Sequence, residues 1–204
     1  MTKVKICAVR TLEAAQTAVN AGADFLGFVF AQNTSRYINP KEAKKIILKL
    51  QGTVQIVGVF KRTSINRINT LIDELNLDFV QLHNFGNPDF CKQIKAGVIR
   101  SFGLESDFST KEVLDTFKAY SVSYYHLDRK VRGEGAVLNL DKSKEIARKF
   151  SIFFSGGLTP ENIKEVVAAI RPFAVDVSSG VETNGVQDLG KIKMFITNAK
   201  EGAL

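Results

Sequence analysis

The sequence predicts an α/β protein, a closed (β/α)8 or TIM barrel forming one compact domain over residues 1–204. Eight short runs rich in β-branched and aromatic residues alternate with amphipathic stretches. The 204 residues provide about 25 for each strand–helix unit, near the lower size limit of this fold. No linker, low-complexity tract or repeat interrupts the alternation, so we expect no domain boundary.

The expected strands are short and mostly apolar. They are Val4–Cys7, Phe25–Phe30, Val54–Phe60, Phe79–His83, Val98–Phe102, Ser123–Asp128, Ser151–Ser155 and Ala174–Ser178. Two intervening stretches show a 3.6-residue apolar period, at Ile65, Ile68, Leu71, Ile72 and Leu75 and at Ile163, Val166, Val167 and Ile170. Alternation of this kind favours a parallel barrel over an open sheet.

Composition excludes several classes of protein. No apolar run reaches the roughly 18 residues of a membrane span, and the N-terminus enters a strand pattern directly, so we expect no membrane segment and no signal peptide. Cys7 and Cys91 have neither disulfide nor metal-ligand spacing, which favours a reducing cytoplasm and no metal. The net charge of +7 comes from lysines interleaved with acidic and apolar residues, so we expect no nucleic-acid partner.

Two glycine turns follow the last two expected strands. In the stretch 153–162 an apolar strand leads into Gly156-Gly157, and we expect Thr159 to cap a helix that starts at Pro160. The second turn contains Ser179-Gly180. Paired turns at this place are the usual phosphate site of a (β/α)8 barrel, although each could be an ordinary strand-to-helix turn.

Four candidate catalytic or binding residues lie near the carboxyl ends of expected strands. Strand alternation directs them into the barrel, towards the end where such barrels keep their chemistry. They are Cys7, His83, Asp128 and Asp176. A thiol and a carboxyl on two sides of one pocket could act as base and acid. Cys7 would then need help to ionise, from Lys5 or from the bound state.

Each candidate also has a structural explanation. Cys7 could fill a gap in the core, and His83 could be a satisfied interior histidine, as we expect for His126. Asp128 could cap a loop, and Asp176 could hydrogen-bond the turn that follows it. Arg36, in the loop after the second strand, could bind a substrate carboxylate through its planar fork or could simply be solvated.

With these positions assembled, the chain resembles the phosphoribosylanthranilate isomerase family of tryptophan biosynthesis, from Val4 to about Ile196. The more specific matches are Val4-Lys5-Ile6-Cys7, Gln81-Leu82-His83 and Asp176-Val177-Ser178-Ser179-Gly180-Val181-Glu182. Less specific ones are Gly27-Phe28-Val29-Phe30, Ser35-Arg36-Tyr37-Ile38, Val57-Gly58-Val59-Phe60 and Ser155-Gly156-Gly157-Leu158-Thr159-Pro160-Glu161-Asn162.

The resemblance implies an Amadori rearrangement of N-(5-phosphoribosyl)anthranilate without a metal or organic cofactor. It implies Asp128 as general acid and Cys7 as general base. The other implied roles are the anthranilate carboxylate for Arg36, pocket lining for His83 and Asp176, and phosphate binding for Gly156, Gly157, Ser179 and Gly180. The implied partner is a phosphorylated small molecule, bound by a monomer or a homodimer.

The chain departs from the family pattern in two loops and before the glycine pair. Ala8 and Arg10 replace the usual Gly and Thr after Cys7, so we expect no glycine-only backbone geometry there. The loop 129–136 after Asp128 is more charged than usual, and Ser155 stands where Ala is common. These departures leave two alternatives: a related aminoaldose-phosphate isomerase of histidine biosynthesis, and a barrel that binds a phosphometabolite without turnover.

Overall fold

The computed structural model describes residues 1–50, 52–130 and 137–203, and it confirms the predicted barrel. Eight parallel strands close in sequence order, β1 pairing with β8. The strands are β1 Lys3–Ile6, β2 Phe25–Val29, β3 Gln55–Phe60, β4 Phe79–His83, β5 Gly97–Leu104, β6 Tyr124–Arg129, β7 Ile152–Phe154 and β8 Ala174–Val177.

Helices follow the strands and cover the outside of the barrel. They are α1 Leu12–Asn20, α2 Pro40–Leu48, α3 Ile65–Leu75, α4 Pro88–Cys91, α5 Thr110–Lys118, α6 Leu140–Ala147, α7 Ile163–Ile170 and α8 Leu189–Glu201. Most begin at a Thr, Ser, Asn or Asp whose side chain accepts a backbone N–H of the first turn. The buried face of α7 is the predicted set Ile163, Val166, Val167 and Ile170.

The start of α7 differs from its prediction. The helix begins at Ile163, and Thr159 does not cap it. Instead the Asn162 side chain accepts the Thr159 N–H at 2.9 Å and donates to the Gly157 carbonyl oxygen at 2.9 Å. These two bonds hold residues 157–162 as a turn, which delays the helix.

One element was not predicted at all. After β8 and a short 3₁₀ turn, Ser179–Val181, the chain forms an antiparallel hairpin of β9 (Glu182–Thr183) and β10 (Val186–Gln187). Its two-residue loop has positive φ at Asn184 (53°) and Gly185 (77°), the conformation of a type I′ turn. The Asn-Gly pair is a strong hairpin signal, so the sequence did contain the information.

Alternation along the strands separates the outer core from the barrel interior. Val175 and Val177 pack in the core between strands and helices, so Asp176 points inward as predicted. The interior at the amino ends of the strands is apolar, and consists of Phe25, Val57, Ile99, Phe153 and Ala174 with Phe79, Tyr124 and Phe173 against them. In the described part of the chain, no helix is long and apolar enough to cross a bilayer.

Candidate active site

A cavity of about 600 Å³ opens at the carboxyl ends of the barrel strands. Its lining contains all of the residues predicted to form the site, brought together from β4, β6, β8 and the segments that follow β1, β2, β7 and β8. They are Cys7, Arg36, His83, Asp128, Gly156, Gly157, Asp176, Ser179 and Gly180. Their roles stay predictions; their convergence on one cavity is a structural fact.

A buried polar layer forms the floor of the cavity, and Asp176 is its centre. The Oδ2 atom of Asp176 accepts from Lys5 Nζ at 2.8 Å and from His126 Nε2 at 2.9 Å. Lys5 is fully buried and also donates to Gln81 Oε1 at 2.7 Å. Burial raises the pKa of Asp176, but the charge of Lys5 and the His126 hydrogen bond outweigh it, so this pKa lies below its usual value.

The other carboxylate oxygen of Asp176 has a different hydrogen-bonding environment. Oδ1 is buried and has no hydrogen-bond partner among the described residues. An unpaired buried carboxylate oxygen is costly in a folded protein. Since Asp176 lines the cavity, a donor on a bound molecule would satisfy it.

The two histidines share one hydrogen-bonded chain. Ser101 Oγ lies 3.0 Å from His126 Nδ1 and 3.4 Å from His83 Nδ1. The ionised Asp176 can only accept, so His126 Nε2 carries a hydrogen and donates it to this carboxylate, while Nδ1 is hydrogen-bonded to Ser101 Oγ. His126 is thus a satisfied interior histidine, as predicted, whereas His83 is half-buried at the cavity wall.

Cys7 lies one residue beyond the end of β1, at the edge of the polar layer. Gly27 makes room for it, because a Cβ atom on Gly27 would lie 2.8 Å from Cys7 Sγ and 3.2 Å from Lys5 Cε. Burial is the largest influence on the thiol and raises its pKa above the usual value, although Lys5 acts in the opposite direction. The thiol is therefore the major form at neutral pH.

The backbone after Cys7 contradicts one expectation. Ala8 adopts φ of 63°, in the left-handed region, despite not being glycine. The Cys7 N–H donates to Val177 O at 2.8 Å and the Val9 N–H to Gly27 O at 2.9 Å, which fixes the chain on both sides of Ala8. Tertiary hydrogen bonds thus impose the geometry that the residue type disfavours.

Asp128 lies in β6 and its Oδ1 atom accepts from two donors. These are the Arg129 N–H at 2.9 Å and Ser155 Oγ at 3.0 Å, the latter also 3.0 Å from Leu127 O. Asp128 thus stabilises its own loop, which was the structural explanation for it, and it also lines the cavity. The rest of the predicted sixth loop, Val131–Ala136, lies outside the described residues.

Arg36 reaches the cavity from the loop after β2 and is paired with a residue that the sequence analysis did not single out as part of the site. Its Nε and Nη2 atoms donate to the two carboxylate oxygens of Glu182 at 3.2 and 3.1 Å. The hydrogen bonds that Arg36 donates to this carboxylate are the largest influence on the guanidinium and raise its pKa. Glu182 and Ser155 are thus additional residues of the site.

The glycine turns meet at the rim of the cavity. Gly156 and Gly157 have φ of 90° and 76°, and in the described chain their N–H groups form no backbone hydrogen bond. Ser179 and Gly180 begin the 3₁₀ turn, where N–H groups have no acceptor within the turn. A Cβ atom on Gly180 would lie 1.8 Å from Leu158 O, so only glycine allows the two turns to pack this closely.

This fold and this cavity define a (β/α)8-barrel enzyme with its site at the carboxyl ends of the strands. Comparison with known proteins narrows the class. The sequence profile of the family described as N-(5′-phosphoribosyl)anthranilate (PRA) isomerase matches residues 4–198. The chain is 43% identical to the N-(5′-phosphoribosyl)anthranilate isomerase of Geotalea daltonii, over 98% of both chains. It is 41% identical to that of Trichlorobacter lovleyi, over 98% of this chain and 99% of the relative.

Solved structures agree with the sequence relatives. Phosphoribosyl anthranilate isomerase from Thermotoga maritima superposes with a TM-score of 0.89 at 36% identity, over 98% of this chain and 99% of that one. A phosphoribosyl anthranilate isomerase in complex with reduced 1-(o-carboxyphenylamino)-1-deoxyribulose 5-phosphate gives 0.86 at 35% identity, with the same coverage. The chain belongs to the phosphoribosylanthranilate isomerase family, and it is an isomerase.

Proposed function

We propose that this chain converts N-(5′-phosphoribosyl)anthranilate into 1-(2-carboxyphenylamino)-1-deoxyribulose 5-phosphate in tryptophan biosynthesis, by an Amadori rearrangement. One observation carries the proposal. The thiol of Cys7, just after β1, and the carboxyl of Asp128, in β6, line the same cavity as Arg36 and the paired glycine turns. A base, an acid and two anion sites in one cavity match this substrate.

The substrate phosphate is assigned to the glycine turns. Gly156, Gly157, Ser179 and Gly180 offer backbone N–H groups that the described chain leaves available for an anion. Such N–H groups bind a phosphate without a charged side chain and fix one end of the substrate.

The anthranilate carboxylate is assigned to Arg36. Its guanidinium uses two of its donor atoms for Glu182, and it lines the cavity. An arginine fork binds a carboxylate through two parallel hydrogen bonds, which fixes the plane of the aromatic ring.

The acid step begins with Asp128. In its protonated form it donates a proton to the ribose ring oxygen while the bond between that oxygen and C1 breaks. The lone pair of the anthranilate nitrogen forms the C1=N bond, giving an open-chain iminium and the Asp128 carboxylate. The Arg129 N–H and Ser155 Oγ then stabilise the negative charge on Oδ1.

The base step requires Cys7 as a thiolate, which removes the proton from C2. The C–H electron pair forms the C1=C2 bond, and the iminium π electrons return to nitrogen. The resulting enolamine tautomerises to the ketone by losing the hydroxyl proton at C2 and gaining a proton at C1. The positive charge of the iminium favours the thiolate beside it, which counteracts the effect of burial on the thiol pKa.

Asp176 and His83 are assigned to the sugar part of the substrate. Oδ1 of Asp176, which has no partner among the described residues, accepts a hydrogen bond from a ribose hydroxyl. No step needs a metal or an organic cofactor, because the substrate nitrogen accepts the electron pair. The two cysteines are free and buried, which suits the cytoplasm. A monomer or a homodimer stays the predicted assembly.

The test is the decay of phosphoribosylanthranilate fluorescence with purified protein and with the Cys7→Ala variant. We expect decay with the unsubstituted chain and, with the variant, a rate lower by about a thousandfold or more, because the variant lacks the thiolate that removes the C2 proton. Binding of the product should be nearly unchanged.

Two results would contradict the proposal. Absence of turnover by the unsubstituted chain would reject the reaction, and the histidine-pathway aminoaldose is then the next substrate to assay. A Cys7→Ala variant that retains more than about a tenth of the rate would remove Cys7 as the base. Cys91→Ser, at the other buried cysteine, is the matched control and should retain activity.

A further inference from the structure

The hairpin of β9 and β10 touches two groups of the proposed reaction at once. Glu182 accepts from Arg36 at 3.2 and 3.1 Å, and Gln187 Nε2 donates to the carbonyl oxygen of Cys7 at 3.2 Å. Glu182 and Gln187 lie directly opposite each other in the hairpin. Opposed residues of an antiparallel pair project from the same face, so one cross-strand pair contacts both Arg36 and Cys7.

The contact between Glu182 and Arg36 selects one edge of the guanidinium. Glu182 takes Nε and Nη2, and Nη1 donates to none of the described residues. The edge formed by Nη1 and Nη2 therefore stays open for a second carboxylate. The side chains of Arg36 and Glu182 are only 20% and 9% exposed, so the pair is more firmly oriented than a surface ion pair.

The contact between Gln187 and Cys7 acts on a strained peptide. The Cys7 carbonyl belongs to the peptide that precedes Ala8, whose φ is 63°. A left-handed conformation is unfavourable for a non-glycine residue and persists only where neighbours impose it. The Gln187 hydrogen bond holds the carbonyl in the orientation that this conformation requires, and thereby the direction of the Cys7 side chain.

Arg10 joins the hairpin to the loop that carries Arg36. It donates to Ser35 O at 2.7 Å through Nη1 and to Gly185 O, at the hairpin tip, at 2.6 Å through Nη2. The hairpin and the loop are thus connected at two places, by Arg10 and by the pair of Arg36 with Glu182. Movement of the hairpin would displace both Arg36 and Cys7.

We propose that the hairpin is a positioning element of the reaction. Glu182 orients Arg36 towards the substrate carboxylate, and Gln187 orients Cys7 towards the proton at C2. This inference rests on the proposed function and deepens it, because it makes the separation between the carboxylate site and the base depend on one cross-strand pair.

The experiment compares Glu182→Gln and Gln187→Met with Val186→Ala, a control on the same hairpin whose side chain is 64% exposed. Loss of an oriented charge pair should raise KM about tenfold in Glu182→Gln, with kcat within about threefold. Loss of the carbonyl contact should lower kcat about tenfold in Gln187→Met with little change in KM. Gln187→Lys, which keeps an N–H donor of similar reach, should restore most of kcat.

A second readout does not depend on turnover. In the Cys91→Ser background, Gln187→Met should let Cys7 move outward and react with iodoacetamide at least about threefold faster, whereas Glu182→Gln and Val186→Ala should not change the rate. Affinity for the product, measured by calorimetry, should fall in Glu182→Gln alone. Each variant is assayed below its own thermal unfolding midpoint.

These measurements separate the positioning role from the proposed function. If the unsubstituted protein fails to turn over the substrate, the function is rejected, and alkylation of Cys7, which needs no substrate, still tests the hairpin. A Glu182→Gln variant with unchanged KM and product affinity would overturn the role of Glu182, and improved affinity would show instead that Glu182 competes with the substrate for Arg36. A Gln187→Met variant with unchanged kcat and unchanged alkylation would overturn the role of Gln187.

Discussion

The two ends of the barrel interior differ in chemistry although the same strands build both. At the amino end, Phe153 packs edge-on against Phe25 and Tyr124, with ring centroids 5.1 and 5.4 Å apart. Tyr124 lies in β6, and two residues further along the same strand is His126, which joins the polar layer around Asp176. Alternation with a period of two places a packing residue and a polar residue in successive layers of one strand.

The two layers contribute differently to the free energy of unfolding. Aromatic rings at the amino end bury large apolar surfaces and interact through their edges. The ion pair of Lys5 with Asp176 gains little net stability, because both charges lose their hydration. Stability and chemistry are therefore separated along the barrel axis, and substitutions at each end test that separation.

The largest expected effect is on activity, from Asp128→Asn. An amide can still accept from Arg129 N–H and Ser155 Oγ but cannot donate the acid proton, so kcat should fall about 10²–10⁴-fold with the unfolding free energy nearly unchanged. The measurement is steady-state kinetics with urea unfolding. Asp115→Asn, at a surface carboxylate paired with Lys118, is the control. A loss below tenfold would remove Asp128 as the acid.

The second prediction concerns the polar layer itself. Lys5→Met leaves a buried carboxylate without its cation and should lower the unfolding free energy by about 3–5 kcal/mol. Lys5→Met combined with Asp176→Asn removes both charges and should recover most of this loss while remaining inactive. Urea unfolding of the three proteins provides the measurement. If Lys5→Met alone lowers the unfolding free energy by less than about 1 kcal/mol, the pair of Lys5 and Asp176 is more hydrated than the structure indicates.

The same pair predicts a dependence of stability on pH. The pKa of Asp176 is lowered in the fold, so its contribution is present above the ordinary value of 3.8 and is lost as pH falls through the lowered value. The pKa of Lys5 is raised because the Asp176 and Cys7 charges outweigh burial. Its contribution is present below 10.5 and is lost as pH rises through the raised value. In the variant that combines Lys5→Met with Asp176→Asn, both of these contributions to the pH dependence of the unfolding free energy should disappear.

The amino end should show the opposite behaviour. Phe153→Leu removes part of a fully buried ring and should lower the unfolding free energy by about 1–2 kcal/mol, with kcat and KM within about twofold. Thermal unfolding and the fluorescence assay on one preparation measure both quantities. A large loss of activity without loss of stability would show that the two ends are coupled.

The smallest expected effect lies where the two regions meet, at Ala8. Ala8→Gly removes the left-handed strain and should raise the unfolding free energy by about 0.5–1 kcal/mol, although glycine loses more chain entropy on folding. Urea unfolding provides the measurement, and Ala23→Gly, at a buried alanine without positive φ, is the control that should destabilise. Equal destabilisation by both would mean that Ala8 carries no strain.

Much of the barrel could be predicted because its signals are local. The apolar runs and the 3.6-residue periods gave all eight strands and the buried face of α7, with boundaries that differ by at most two residues at the strand ends. The inward direction of Asp176 followed from its valine neighbours. Thr159 was a wrong cap because Asn162, three residues away, forms a competing turn.

The barrel, the inward-facing polar residues and the two glycine turns could be predicted from the amino-acid order, since these depend on the period of the pattern and on neighbouring residues. The partner of Arg36, the left-handed backbone at Ala8 and the contact of Gln187 with Cys7 depend instead on how the chain folds in three dimensions. Each of these joins residues more than a hundred positions apart or is imposed by such a contact. No local sequence pattern indicates which distant residues will come into contact. Closure of β1 against β8 brings these distant segments to one mouth.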